Sequence, residues 1–215
     1  MFAYAGNNPI KYTDPDGKSE KIVFSLGHGV LLKDSKGNLY ESTRLRGPVN
    51  GYWEISHIYN FQKYFLPALN KLGVDVTNIK APPYNAYTAG DKVKASNKID
   101  ADGSVDLHVA VHADARGKKG FDGITVIYMD DRPISKKIAQ YFVNKLTEAG
   151  FEAKLFKESQ TAAKRLTELH DTTAPAVYFE IGNMESDSGL AKLLDMAYMK
   201  KLAETIANAI ASFGE

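Results

Sequence analysis

Two apolar patterns take turns along the chain. Short apolar runs flanked by Gly, Pro or Asp predict strands over Ile22–Leu26, Val74–Ile79, Ser104–Val111, Gly123–Tyr128, Phe151–Phe156 and Ala176–Ile181. Between them, apolar residues recur every three or four positions. Ile58, Phe61, Phe65, Leu69 and Leu72 predict a helix over Glu54–Leu72, with Gly73 as its stop and Pro67 expected to kink it. A second helix is expected over Ile134–Ala149, opened by Pro133 and closed by Gly150, and a short one over Ala162–Leu169. Leu194, Tyr198, Leu202, Ile206 and Ile210 form one row of a long helix over Gly189–Phe213. Alternating strands and helices imply an α/β fold. The expected architecture is a three-layer sandwich, a mainly parallel (mixed) sheet of about six strands with helices on both faces. Residues 29–51 are too irregular to assign, and 81–102, with Pro82-Pro83, Tyr84, Tyr87 and Gly90, is expected to be a long loop.

Composition narrows the chemistry. The 215 residues suffice for one domain with a substantial core, and 27 basic against 26 acidic residues leave a net charge of +1. That balance, with scattered lysines, lacks the basic footprint of a nucleic-acid binder. No apolar run approaches a membrane span, and no signal peptide is present in this segment. With no cysteine, disulfides, thiolate nucleophiles and cysteine-ligated zinc are excluded, leaving His, Asp and Glu as metal ligands.

The candidate chemistry gathers at strand ends. In Val105–Ala115, His108, Ala110 and His112 lie on one face of the expected strand, and His112 closes it. The first strand ends in Gly27-His28-Gly29, where glycines allow close approach to a ligand. Ala176–Ile181 carries Glu180, a carboxylate hard to explain inside an apolar strand. Glu54 opens the first helix, where the helix dipole favours it whatever its role, and Glu41 is a second candidate in that region. His, His and Glu delivered at similar depth suggest a metal hydrolase, with Glu180 placed as a general base.

These motifs, in this order, resemble the zinc-dependent N-acetylmuramoyl-L-alanine amidases of the amidase-3 type. The correspondence runs through Ser25-Leu-Gly-His28-Gly, Trp53-Glu54-Ile55, Asp106-Leu-His-Val-Ala-Val-His112-Ala-Asp114-Ala115 and Pro175-Ala-Val-Tyr-Phe-Glu180-Ile-Gly182. It covers nearly all of residues 20–213. The resemblance implies one Zn2+ per chain held by His28, Glu54 and His112, with Glu180 catalytic. It implies hydrolysis of the amide between N-acetylmuramic acid and L-alanine in peptidoglycan. This sequence departs from the family at His108 (usually apolar), Ala110 (Ser), Asp114 (Asn), His170 (often Arg) and Asn183 (aromatic). His108 is thereby a neighbour of the ligands or a rival to them.

Residues 1–17 differ in character from the rest of the chain. Tyr4-Ala-Gly-Asn-Asn-Pro-Ile-Lys-Tyr-Thr-Asp-Pro-Asp-Gly17 resembles the end of the core in Rhs/YD-repeat proteins, which a variable toxin domain commonly follows. That division, a tail over 1–17 and a catalytic domain over 18–215, implies a toxin effector. Its implied partners are peptidoglycan, an Rhs carrier and a cognate immunity protein, and its place of action is the periplasm or cell wall. Met1 would then be a truncation point. The alternatives are a related zinc peptidase or carboxypeptidase acting on stem peptides, and a degenerate cell-wall-binding module.

Overall fold

The computed structural model describes residues 20–27, 31–33, 39–41, 49, 51–52, 54–79, 88–115, 117–161 and 163–213. The tail over 1–17 and His28 lie outside them. Six strands form the main sheet: β1 (Lys21–Leu26), β4 (Asp75–Ile79), β5 (Leu107–Asp114), β6 (Ile124–Tyr128), β7 (Ala153–Lys157) and β8 (Ala176–Asn183). Their order is β4-β1-β5-β8-β6-β7. The first four are mutually parallel, and β6 is antiparallel to β8 while pairing in parallel with β7. The expected α/β architecture with a mixed, mainly parallel sheet is therefore what the chain adopts. Within the irregular 29–51 segment, β2 (Leu31–Lys33) and β3 (Leu39–Glu41) pair as a small antiparallel ribbon.

Strand alternation divides the core in two. Ile22, Phe24, Leu107, Val109, Val111, Val177 and Phe179 face one way, against α1 (Glu54–Lys71), α3 (Pro133–Glu148) and α6 (Met196–Ala211). Three phenylalanines, Phe24, Phe61 and Phe65, interlock there with ring centroids 4.9–6.5 Å apart. Val23, Ala110, Ala176 and Tyr178 face the other way, toward α2 (Ala89–Ile99) and α4 (Thr167–His170). With both faces covered, nearly every position of β5 and β8 is buried, which is why they read as continuous apolar runs.

Three helical expectations change. The loop over 81–102 contains α2, set by a capping box in which Thr88 and Asp91 bond each other's backbone amides. The long C-terminal helix is two, α5 (Asp187–Leu194) and α6, parted at Asp195. Of the segment over Ala162–Leu169, the described residues are helical only from Thr167, where the four-residue α4 begins. Helix α1 continues through Pro67 to Lys71, since the proline removes one backbone donor from a helix whose apolar face is anchored on both sides of it.

Candidate active site

Because β1, β5 and β8 run parallel, their carboxyl ends meet at one edge of the sheet, the edge at which open α/β sheets bind ligands. His112 and Glu180 are register partners there, on adjacent β5 and β8. Glu54, the first residue of α1, reaches the same edge, with Oε1 3.0 Å from His112 Nδ1 and 3.2 Å from the Ala113 backbone amide, which donates to it. Glu54 Oε1 and His112 Nδ1 both lie against Gly27. A Cβ there would fall 2.5 Å from Glu54 Oε1 and 2.9 Å from His112 Nδ1, so only glycine leaves this space open.

Two ligands of a tetrahedral zinc, each at about 2.1 Å, sit roughly 3.4 Å apart. The Glu54–His112 pair, with one carboxylate oxygen and one imidazole nitrogen 3.0 Å apart, is close to that spacing. The residues therefore fit a zinc. Among the described residues no cluster of three metal-ligating side chains forms. The third expected ligand, His28, follows Gly27 directly in sequence and lies outside them.

The His112 ring is fixed in plane by Tyr178, stacked on it at 4.3 Å between centroids and 12° between planes. Burial disfavours the charged imidazole, but the carboxylates of Glu168 and Glu54 outweigh it and push the ring up to about 9. Burial, reinforced by the negative charges of Glu180, Glu54, Glu168 and Asp114, lifts the Tyr178 phenol well above its ordinary range. The site is thus a sink for positive charge, the electrostatics a divalent cation would find favourable.

His108 is held within a hydrogen-bond network apart from Glu54. Its Nδ1 meets Ser96 Oγ at 2.9 Å and its Nε2 meets Glu168 Oε2 at 3.1 Å, so both ring nitrogens are occupied beneath the site. His170 pairs with Glu158 at 2.5 Å, away from Glu54 and His112 in the contacts it makes. The close approach expected at Gly27 is what the structure shows. Sequence reasoning missed Tyr178 as a stacking platform and the buried pair Lys92–Glu168 at 3.1 Å. Lys92 had no signal, because its segment lacks a strong helical period.

Residues 22–212 match the family described as N-acetylmuramoyl-L-alanine amidase. The chain belongs to that family. Solved structures agree on the fold. The apo form of the amidase Ami1 from Mycobacterium abscessus superposes with a TM-score of 0.72 at 19% identity, covering 91% of this chain and 99% of that one. The catalytic domain of CwlV from Bacillus (Paenibacillus) polymyxa var. colistinus gives 0.67 at 20% identity, covering 89% and 96%. Cwp6 from Clostridium difficile gives 0.70 at 19% identity, covering 93% of this chain and 30% of that longer one. Among curated proteins none matches. Membership makes the chain a hydrolase of the peptidoglycan amidase class. No helix of the described residues is long and apolar enough to cross a membrane.

Proposed function

We propose that the chain is a zinc-dependent N-acetylmuramoyl-L-alanine amidase in which His28, Glu54 and His112 hold one metal ion and Glu180 is the catalytic acid–base. The observation that carries this is the convergence of Glu54 Oε1 and His112 Nδ1 on the open Cβ position of Gly27, with Glu180 one strand away in register. When bound, the zinc supplies Lewis acidity toward a water and the scissile carbonyl. Glu180 takes the proton of the attacking water and delivers it to the leaving nitrogen of L-alanine. Tyr178 keeps the His112 ring from rotating, so the ligand is preorganised.

Mass spectrometry of digested sacculi tests the reaction. Free stem peptides beginning with L-alanine are expected, whereas shortened muropeptides would identify a peptidase, and intact sacculi a binding module. Glu180→Gln should lose about 10²–10⁴-fold in turnover while keeping its zinc; full activity in that variant would overturn the assignment.

The Rhs-like tail supports a role as the C-terminal toxin of a carrier, acting outside the cytoplasm on the cell wall and held in check by an immunity protein. Fused to an export signal, the wild-type chain should lyse a bacterial host, while cytoplasmic expression and exported Glu180→Gln should not. Equal growth of exported wild type and Glu180→Gln would sink that role.

A further inference from the structure

Beneath the site lies a buried polar network that the proposed chemistry does not use. Glu168, on α4 and 2% exposed, is its centre. Its Oε1 accepts from Lys92 Nζ at 3.1 Å and lies 3.6 Å from His112 Nε2. Its Oε2 accepts from Ser25 Oγ and meets His108 Nε2 at 3.1 Å. Lys92 also donates to the backbone carbonyl of Gly27 at 3.4 Å, and His108 is tied back to Ser96 of α2. One carboxylate thus links β1, α2 and β5 under the corner where Glu54 and His112 meet.

A buried carboxylate is costly, and one lysine suffices to balance its charge. Charge balance does not require that its two oxygens approach two different imidazoles. The His112 ring, held flat on Tyr178, exposes two edges: Nδ1 to Glu54 and Nε2 to Glu168. A neutral imidazole carries one N–H; with Nδ1 given to a metal beside Glu54, that N–H sits on Nε2, the edge turned toward the Glu168 carboxylate.

We infer that Glu168 is a positioning residue for the metal ligand His112, its carboxylate holding the Nε2 edge so that Nδ1 faces Glu54 and the metal. The inference rests on the zinc reading above. It also assigns Lys92 a place: it anchors Glu168 and fixes the Gly27 carbonyl, immediately before His28.

Long-range 1H–15N spectra of the zinc-loaded wild-type protein test it without a substitution. His112 is expected to be metal-bound at Nδ1 and protonated at Nε2. Binding through Nε2 would overturn the positioning role and leave the zinc reading standing, whereas a wild-type protein that takes up no zinc would overturn both. Zinc competition against a chromophoric chelator gives a second readout. Glu168→Leu, and the charge-balanced Lys92→Met/Glu168→Leu, should each bind zinc roughly 10–100-fold more weakly than wild type. Circular dichroism checks that both variants fold. Wild-type affinity in a folded balanced variant would mean that Glu168 only neutralises Lys92, and the inference would fail.

Discussion

At the scale of single residues, Gly27 decides whether the corner can work. Any side chain there begins with a Cβ 2.5 Å from Glu54 Oε1 and from Ile58 Cδ1, with His112 Nδ1 2.9 Å away. Gly27→Ala should therefore displace Glu54 or His112 and abolish stoichiometric zinc binding, read by metal analysis after dialysis, while leaving the rest of the core intact. Retention of one zinc per chain in that variant would place the metal elsewhere. The contrast with Glu168 shows what a sequence can and cannot reveal about this site. His112 and Glu180 stand out because each lies in an apolar strand, where a polar side chain needs a reason, whereas Glu54, ordinary at the start of a helix, stands out only through the order of the motifs. Glu168 lies in the polar stretch Thr167–His170, where a glutamate is ordinary. Its burial arises only because α4 is pressed under Ser25, Lys92 and two histidines from distant parts of the chain.

At the scale of elements, the four inner strands β1, β5, β8 and β6 were legible because both their faces are buried, and the half-exposed edge strands β4 and β7 through the glycines, Gly73 and Gly150, that end the helices before them. Helix α2 was not. Ala89-Gly-Asp-Lys-Val-Lys-Ala-Ser-Asn-Lys-Ile99 offers little apolar surface, and the face it buries mixes Val93 with Lys92 and Ser96. Its only local signal is the Thr88–Asp91 capping box. The C-terminal region misleads in the opposite way, since its apolar row runs across the junction of α5 and α6. The break belongs to Asp195, whose carboxylate accepts from the amides of Ala197 at 2.8 Å and Tyr198 at 3.2 Å, starting a new helix. Asp195→Ala removes that cap and should cost about 1 kcal/mol, or roughly 2–4 °C in thermal melting, without altering zinc affinity. An unchanged melting temperature would mean that packing alone turns the chain there.

At the scale of the whole molecule, the acidic corner couples stability to pH. In the metal-free protein His112 titrates at about 9 against an ordinary value of 6.5, because Glu168 and Glu54 outweigh its burial. A pKa raised on folding stabilises the native state fully below the unfolded value and loses that contribution as pH climbs through the folded one. Burial acts on His57 in the other sense, lowering its pKa, so that stability falls as the unfolded chain takes up a proton below about 6.5. Glu168, for which burial is outweighed first by Lys92 and then by the histidines, is held well below the carboxylate range and adds to the loss at lower pH. The metal-free protein should therefore be most stable near pH 6.5 and lose up to about 3 kcal/mol between there and pH 9, seen as a falling melting temperature in chelator. Zinc held as proposed would displace the His112 proton, so its affinity, and the stabilisation it confers through mass action, should rise over the same interval. Calorimetry in buffers of different ionisation enthalpy should register close to one proton released from His112 per zinc at pH 7. A zinc-induced rise in melting temperature that shrinks between pH 6.5 and 8, or binding with no proton release, would show that His112 is not a ligand.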